Sequence, residues 1–219
     1  MNNKSTFLTT ARATGLLYLG LAITGIISYA VIRSQIFVDD NPAETLNNLV
    51  NKEMLSRIGI AGELALVLFQ ALTALWFYKL FKKIDSFAAV TLTVFGIINA
   101  VAILVASAFW LSAQTTAGFG GSANNVYNLF QIHDQIWVVS AVFFGLWLIP
   151  MGYLAKKAKM PSALAAFLIY GGILYVLSAF LMVLLPDQSD ITDTITIPAT
   201  IGEFWIIGYL LFKKPKIST

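Results

Sequence analysis

"WVVSAVFFGLWLIPMGYLAKKAK", residues 137–159, decides the fold. Between Asp134 and Lys156 stand 21 residues without a charge, and three lysines then fall at 156, 157 and 159. A helix rises about 1.5 Å per residue, so about 20 residues cross a hydrocarbon core of about 30 Å. A barrel strand would alternate apolar and polar residues over about ten positions. This run is continuous and too long for that. It reads as a transmembrane helix whose basic end rests among headgroups.

The same reading extends in both directions. Six runs qualify, at 11–32, 55–81, 87–112, 132–155, 162–185 and 197–212. The expected fold class is an all-α, polytopic membrane protein, a single six-helix transmembrane domain. Composition agrees: 58% of residues are hydrophobic and 11% charged, with a mean hydropathy of +0.78. A soluble domain carries roughly 25% charged residues, so this chain lacks the polar surface to face water. The first run exceeds the roughly 7–15 apolar residues of a signal peptide and is read as an uncleaved span.

Lysine and arginine set the orientation. Lys4, Arg12, Lys79, Lys82, Lys83, Lys156, Lys157, Lys159, Lys213, Lys214 and Lys216 fall on one side, and Arg33, Lys52 and Arg57 on the other. Basic loops stay cytoplasmic, so both termini are expected there. The outer connections differ in character. "NPAETLNNLV" at 41–50 predicts a short interfacial helix with Asn41 as N-cap, Pro42 at N1 and Glu44 in the first turn. "AQTTAGFGGSANNVYN" at 113–128 reads as a loop, and no Walker lysine makes it a phosphate cradle. Asp187, Asp190 and Asp193 read as a solvated loop without the glycine and glutamate of an EF-hand.

Several chemistries are excluded. The chain has no cysteine and one histidine, which removes thiolate catalysis, disulfides and a multi-imidazole zinc site. No metal, cofactor or catalytic residue is expected, and nucleic acid is not, because the basic residues serve topology. A Ser-His-Asp triad would need Asp134 to orient His133. Adjacent helical residues point about 100° apart, which argues against it.

The residues that draw attention are charges within or beside the spans: Glu63, His133, Asp134 and Glu203. Charges at the bilayer centre cost at least about 2.5–3.5 kcal/mol and normally face protein partners. Counted from the lysine ending each span, Glu203 lies about 15 Å deep, Glu63 about 24 Å, and His133 and Asp134 about 33–35 Å, at the outer interface. Arg57 falls at a similar height and is a candidate ion-pair partner for Asp134. Ser56, Glu63 and Gln70 share a face at intervals of seven. So do Thr196, Thr200 and Glu203 on the last span, and His133, Trp137 and Ser140 on the fourth. If these faces meet they form a polar pocket open to the outside, with Glu63, Gln70, His133, Asp134 and Glu203 as ligand- or proton-binding residues. Each also has a plainer reading, as an interfacial residue or an interhelical hydrogen bond. Asn99 is read as the latter. "IAGEL" in the second span and "TIGEF" in the sixth form a weak internal repeat.

"ARATGLLYLGLAITG" at 11–25, "FFGLWLIPMGYLAKKAKMPSALAAFLIYGGILYVL" at 143–177 and "PATIGEFWIIGYLLFKK" at 198–214 resemble the bacterial membrane proteins of domain of unknown function 4386. The resemblance runs in order along nearly the whole chain. It implies a multi-helix protein of the bacterial inner membrane, with a histidine near the start of the fourth span where His133 stands. It implies no activity. Two readings arise from the residues: binding or transport of a small solute, cation or proton through the outer pocket, or an accessory subunit whose acids only lock helices. An intramembrane enzyme acting on lipid is the least supported. The bilayer is the expected partner, and self-association is left open.

Overall fold

The computed structural model describes residues 3–185 and 189–213, and among these every regular element is helical. Helix α1 (Asn3–Gly25) runs into a π-helical stretch (Ile26–Arg33) and a last short turn, α2 (Ser34–Ile36). Next come α3 (Pro42–Asn51), α4 (Glu53–Phe81), α5 (Ser86–Gly118), α6 (Ala123–Lys157), α7 (Ser162–Leu184) and α8 (Ser189–Phe212). Six helical segments are long and apolar enough to cross a membrane: Thr9–Ile36, Glu53–Phe81, Ser86–Gly118, Ala123–Lys157, Ser162–Leu184 and Thr194–Phe212. The protein is a polytopic α-helical membrane protein. Asp187 lies outside the described residues, as do the side chains of Asp190 and Asp193.

Local chemistry fixes the helix ends. Asn41 caps α3: its side-chain oxygen accepts from Glu44 N–H at 3.1 Å, and its amide donates to the Glu44 carboxylate at 2.9 Å, a reciprocal cap. The short helix predicted from Asn41, Pro42 and Glu44 is therefore present. Asp85 caps α5 through Ala88 N–H at 3.1 Å. Two residues past the end of α5, Gly120 stands at φ +75°. Gly121 N–H returns to Thr116 C=O at 2.8 Å, and Gly120 N–H to Ala117 C=O at 3.1 Å, which together satisfy two carbonyls of the last turn.

The largest departure from the expected spans is α6, which begins at Ala123 and not near residue 132. Its first turns are rich in amides and lack transmembrane hydropathy. They are helical because one stripe, Val126, Phe130, His133 and Trp137, recurs at helical spacing, and its first three members are fully buried. At about 1.5 Å per residue α6 is about 52 Å long, well beyond a bilayer core. Helix α5 likewise continues past residue 112 through much of the expected loop.

The chain divides into two compact units. Unit one comprises Met1–Leu19, Gln70–Asn99 and Val139–Thr219, and unit two comprises Gly20–Phe69 and Ala100–Val138. In unit one, Tyr18, Phe77 and Trp147 meet edge to face, with centroids 5.7–5.8 Å apart. Helices α6 and α7 approach so closely that a Cβ added at Gly172 would lie 2.7 Å from the carbonyl oxygen of Gly145. Small residues permit such contacts between membrane helices.

Unit two is centred on Ile36, Phe37, Leu49, Trp110, Val126 and Phe130. Helix α3 lays Thr45, Asn48 and Leu49 onto this cluster. It is held there by Asn48 Nδ2 donating to Ile36 C=O at 3.2 Å and Gln114 Nε2 donating to Leu49 C=O at 3.1 Å.

Candidate functional site

Four ionisable side chains of unit two form one chain: Glu63, His133, Asp134 and Arg33. Helix α4 carries Glu63, α6 carries His133 and Asp134, and the last π-helical residue is Arg33. His133 Nε2 lies 2.8 Å from Glu63 Oε1, and Nδ1 lies 2.9 Å from Asp134 Oδ1. Asp134 receives Arg33 in a two-pronged pairing, with Nε donating to Oδ1 at 2.9 Å and Nη2 donating to Oδ2. The fork geometry matches a carboxylate and fixes its plane. The Glu63 and His133 side chains are 0% exposed, while Arg33 and Asp134 retain 19% and 15%. Arg33 and Asp134 are thus the exterior-facing end of the chain.

The enclosure is aromatic. The rings of Trp110, Phe130 and Trp137 surround the imidazole at 5.5, 5.3 and 6.5 Å between centroids. The Arg33 guanidinium lies 4.9 Å from the Phe37 ring centre and 5.5 Å from that of Tyr29, where ring quadrupoles favour a cation. The i→i+5 bonding of the π-helical stretch widens the helix and shifts the register of Arg33 and the turn beyond it. Such segments are rare and concentrate at functional sites.

Serines complete the polar bonding. Ser107 Oγ donates to Glu63 Oε2 at 2.8 Å, and Trp110 Nε1 donates to Ser56 Oγ at 3.0 Å. Both oxygens of Glu63 are therefore occupied by protein.

Proton counting limits the states. Both ring nitrogens of His133 face carboxylate oxygens, but a neutral imidazole has only one N–H. Either His133 is an imidazolium between two carboxylates, or it is neutral and accepts from a protonated Glu63. The two forms differ by one proton moved along the 2.8 Å Nε2–Oε1 contact. With Arg33 cationic and Asp134 anionic, the cluster is neutral in both.

Several expectations need correction. His133 is not an interfacial residue wetted by headgroups, because the extra turns of α6 and the rings of Trp110 and Phe130 enclose it, while Asp134 beside it stays partly exposed. Asp134 does hold the ring of its sequence neighbour, because the Arg33 fork turns the carboxylate toward it. Asp134 pairs with Arg33, and the expected Arg57–Asp134 pair is replaced by Arg57 Nε donating to Glu53 Oε1 at 2.8 Å, one turn away on the exposed side of α4. Glu63 occupies His133 Nε2, and no hydroxyl among the described residues reaches it, so a Ser-His-Asp triad has no nucleophile there. A metal ion does not suit the site either, because both imidazole nitrogens are taken and Arg33 is a neighbouring cation.

Ser56, Glu63 and Gln70 are all buried, but Gln70 belongs to unit one, where its amide donates to Gly96 C=O at 3.3 Å. Glu203 also belongs to unit one, and its Oε1 accepts from Tyr18 OH at 2.5 Å. Asn99 makes the expected interhelical bond, donating to Phe143 C=O at 3.4 Å. Sequence reasoning missed Arg33, Ser107 and Trp110 as members of the Glu63–His133 site. Arg33 had a signal, being the one basic residue set flush against the end of an outer apolar run. Ser107 and Trp110 had none, because serine and tryptophan are ordinary in a span.

The family model described as "Domain of unknown function (DUF4386)" matches residues 13–213. No curated protein and no solved structure matches the chain.

Proposed function

Because the chain belongs to the DUF4386 family, which assigns no activity, we propose its function from geometry alone: it is a proton-binding membrane protein. The Glu63–His133 pair holds one shared proton; the partly exposed Asp134 links it toward the exterior, and Arg33, which keeps its own protons, holds that carboxylate in place. The carrying observation is the enclosed imidazole with a carboxylate oxygen 2.8–2.9 Å from each nitrogen. Intramembrane acids and histidines in hydrogen-bonded series suit proton relays. The Glu63–His133–Asp134 series supplies contacts along which a proton moves without opening a water path.

The geometry argues against the open solute pocket. Glu63 has no oxygen left for a ligand, and its carboxylate and the imidazole meet no exterior surface. The lysine asymmetry supports an orientation with both termini in the cytoplasm. Together with the family resemblance it supports placement in a bacterial plasma membrane, which would put the Arg33 end toward the outside.

Infrared difference spectra across a pH jump test this reading. The protein reconstituted in lipid is expected to show a protonated-carboxyl C=O band that disappears in Glu63→Gln and shifts in Ser107→Ala, where its donor is gone. A spectrum identical in wild type and Glu63→Gln would remove the proposal. A second reading, a structural lock between helices, is favoured by the complete hydrogen bonding of Glu63. It predicts that identical spectrum together with lower stability of the variant.

A further inference from the structure

Glu203 is the tenth residue of the nineteen-residue span Thr194–Phe212, so it sits at that span's midpoint. It is half-buried, at the border between the packed face of α8, which includes Ala199, Ile206 and Leu210, and the exposed face, which includes Ile201 and Phe204. Its one hydrogen-bond partner among the described residues is Tyr18, whose OH donates at 2.5 Å. Behind Tyr18, Trp147 Nε1 donates to the same hydroxyl at 3.4 Å. From α1 and α6, then, come a phenol and an indole. No ion pair among the described residues involves the carboxyl.

An unpaired carboxylate is costly in such surroundings. One phenolic hydrogen bond serves one oxygen and leaves the other uncompensated. As a carboxylic acid the group is consistent with everything around it. Oε1 accepts from Tyr18, and Oε2, free of that bond, would carry the acid proton. Trp147 holds the Tyr18 hydroxyl so that its hydrogen points at Glu203.

We infer that Glu203, with Tyr18 as its donor and Trp147 positioning that donor, is a second proton-binding site, reached from the hydrocarbon side of α8. It stands independently of the Glu63–His133 chain and survives if that proposal fails.

Carbodiimide labelling of the full chain in liposomes tests it. A protonated carboxyl gives its proton to a carbodiimide nitrogen while its oxygen adds to the central carbon. The O-acylisourea then rearranges to an N-acylurea that keeps the whole reagent mass and is read by peptide mass spectrometry. Dicyclohexylcarbodiimide, which partitions into lipid, is expected to label Glu203 several-fold faster than a membrane-impermeant cationic carbodiimide. The cationic reagent is expected to label Glu53, whose side chain is 55% exposed, and thereby serves as the control. Tyr18→Phe is expected to retain the adduct at an altered rate. Comparable labelling of Glu203 by both reagents would mean access from water and would overturn the inference. Absence of a Glu203 adduct from dicyclohexylcarbodiimide, with Glu53 labelled as expected, would overturn it too.

Discussion

Glu63 Oε1 lies 2.8 Å from His133 Nε2, and neither side chain reaches the exterior. Seventy residues separate them in sequence, and two helices bring them together. Around that contact every polar group has a defined job. Ser107 serves the second oxygen of Glu63, Asp134 serves the second nitrogen of His133, and Arg33 serves Asp134. Removing any one takes a hydrogen-bond partner from its neighbour.

Arg33 is expected to be the most sensitive position for stability. Arg33→Leu leaves the Asp134 carboxylate without its fork; because the pair is partly exposed and Asp134 keeps its contact with His133, the expected cost lies between the roughly 1 kcal/mol of an exposed pair and the roughly 3–5 kcal/mol of a buried one. Arg33→Lys is expected to restore little, because an ammonium makes neither the two-pronged pairing nor the flat contact with Tyr29 and Phe37. Thermal unfolding in detergent measures both. A double Arg33→Leu, Asp134→Leu protein is expected to be more stable than the sum of the single changes predicts.

Arg57 provides the contrast. It pairs with Glu53 on an exposed helix face, with both side chains more than half exposed. Arg57→Gln is expected to change stability by less than about 0.5 kcal/mol. A loss comparable to that of Arg33→Leu would mean that Arg57 reaches Asp134 after all.

Ser107→Ala removes the hydroxyl shared between the Glu63 carboxylate and Ile103 C=O, each 2.8 Å away. Losing a donor to a buried group costs about 1–3 kcal/mol. The variant is expected to unfold at lower temperature than wild type. The loss is expected to shrink in a Glu63→Gln background, because an amide at that position supplies its own donors.

In unit one, Lys157 Nζ donates to Asp85 Oδ2 at 2.7 Å, and Ala88 N–H donates to Oδ1 at 3.1 Å. The lysine first, then the backbone amide, hold the Asp85 carboxyl below the ordinary carboxylate range. Its contribution is fully present above the unfolded value. It is lost as pH falls through the ordinary carboxylate range toward the lower folded value. The melting temperatures of wild type and Asp85→Asn are expected to differ at neutral pH and to converge in acid.

The sequence made the bilayer legible and the site only partly so. Six spans, the Asn41 cap and the burial of Glu63 all come from periodicity, capping chemistry and the cost of charge in hydrocarbon. The start of α6 did not, because "NNVYNLFQ" is apolar on one stripe only, and average hydropathy does not register a stripe. That one boundary decides the reading of His133. Placed at the start of a span it is an interfacial residue, and placed three turns inside a helix it is a buried partner. Arg33 is hard to place for a related reason. The π-helical stretch before it breaks the α-helical register from which its direction would be reckoned.

The central claim is that Glu63 and His133 share a proton, and the single histidine makes it directly measurable. Protein labelled with ¹⁵N-histidine and reconstituted in lipid gives one imidazole, that of His133. Its Nε2 resonance is predicted to lie between the values of a protonated and a bare nitrogen. In Glu63→Gln, whose amide cannot take the proton, it is predicted to move to one of those limits. An Nε2 resonance already at a limit in wild type, unmoved by Glu63→Gln and by pH across the folded range, would contradict it.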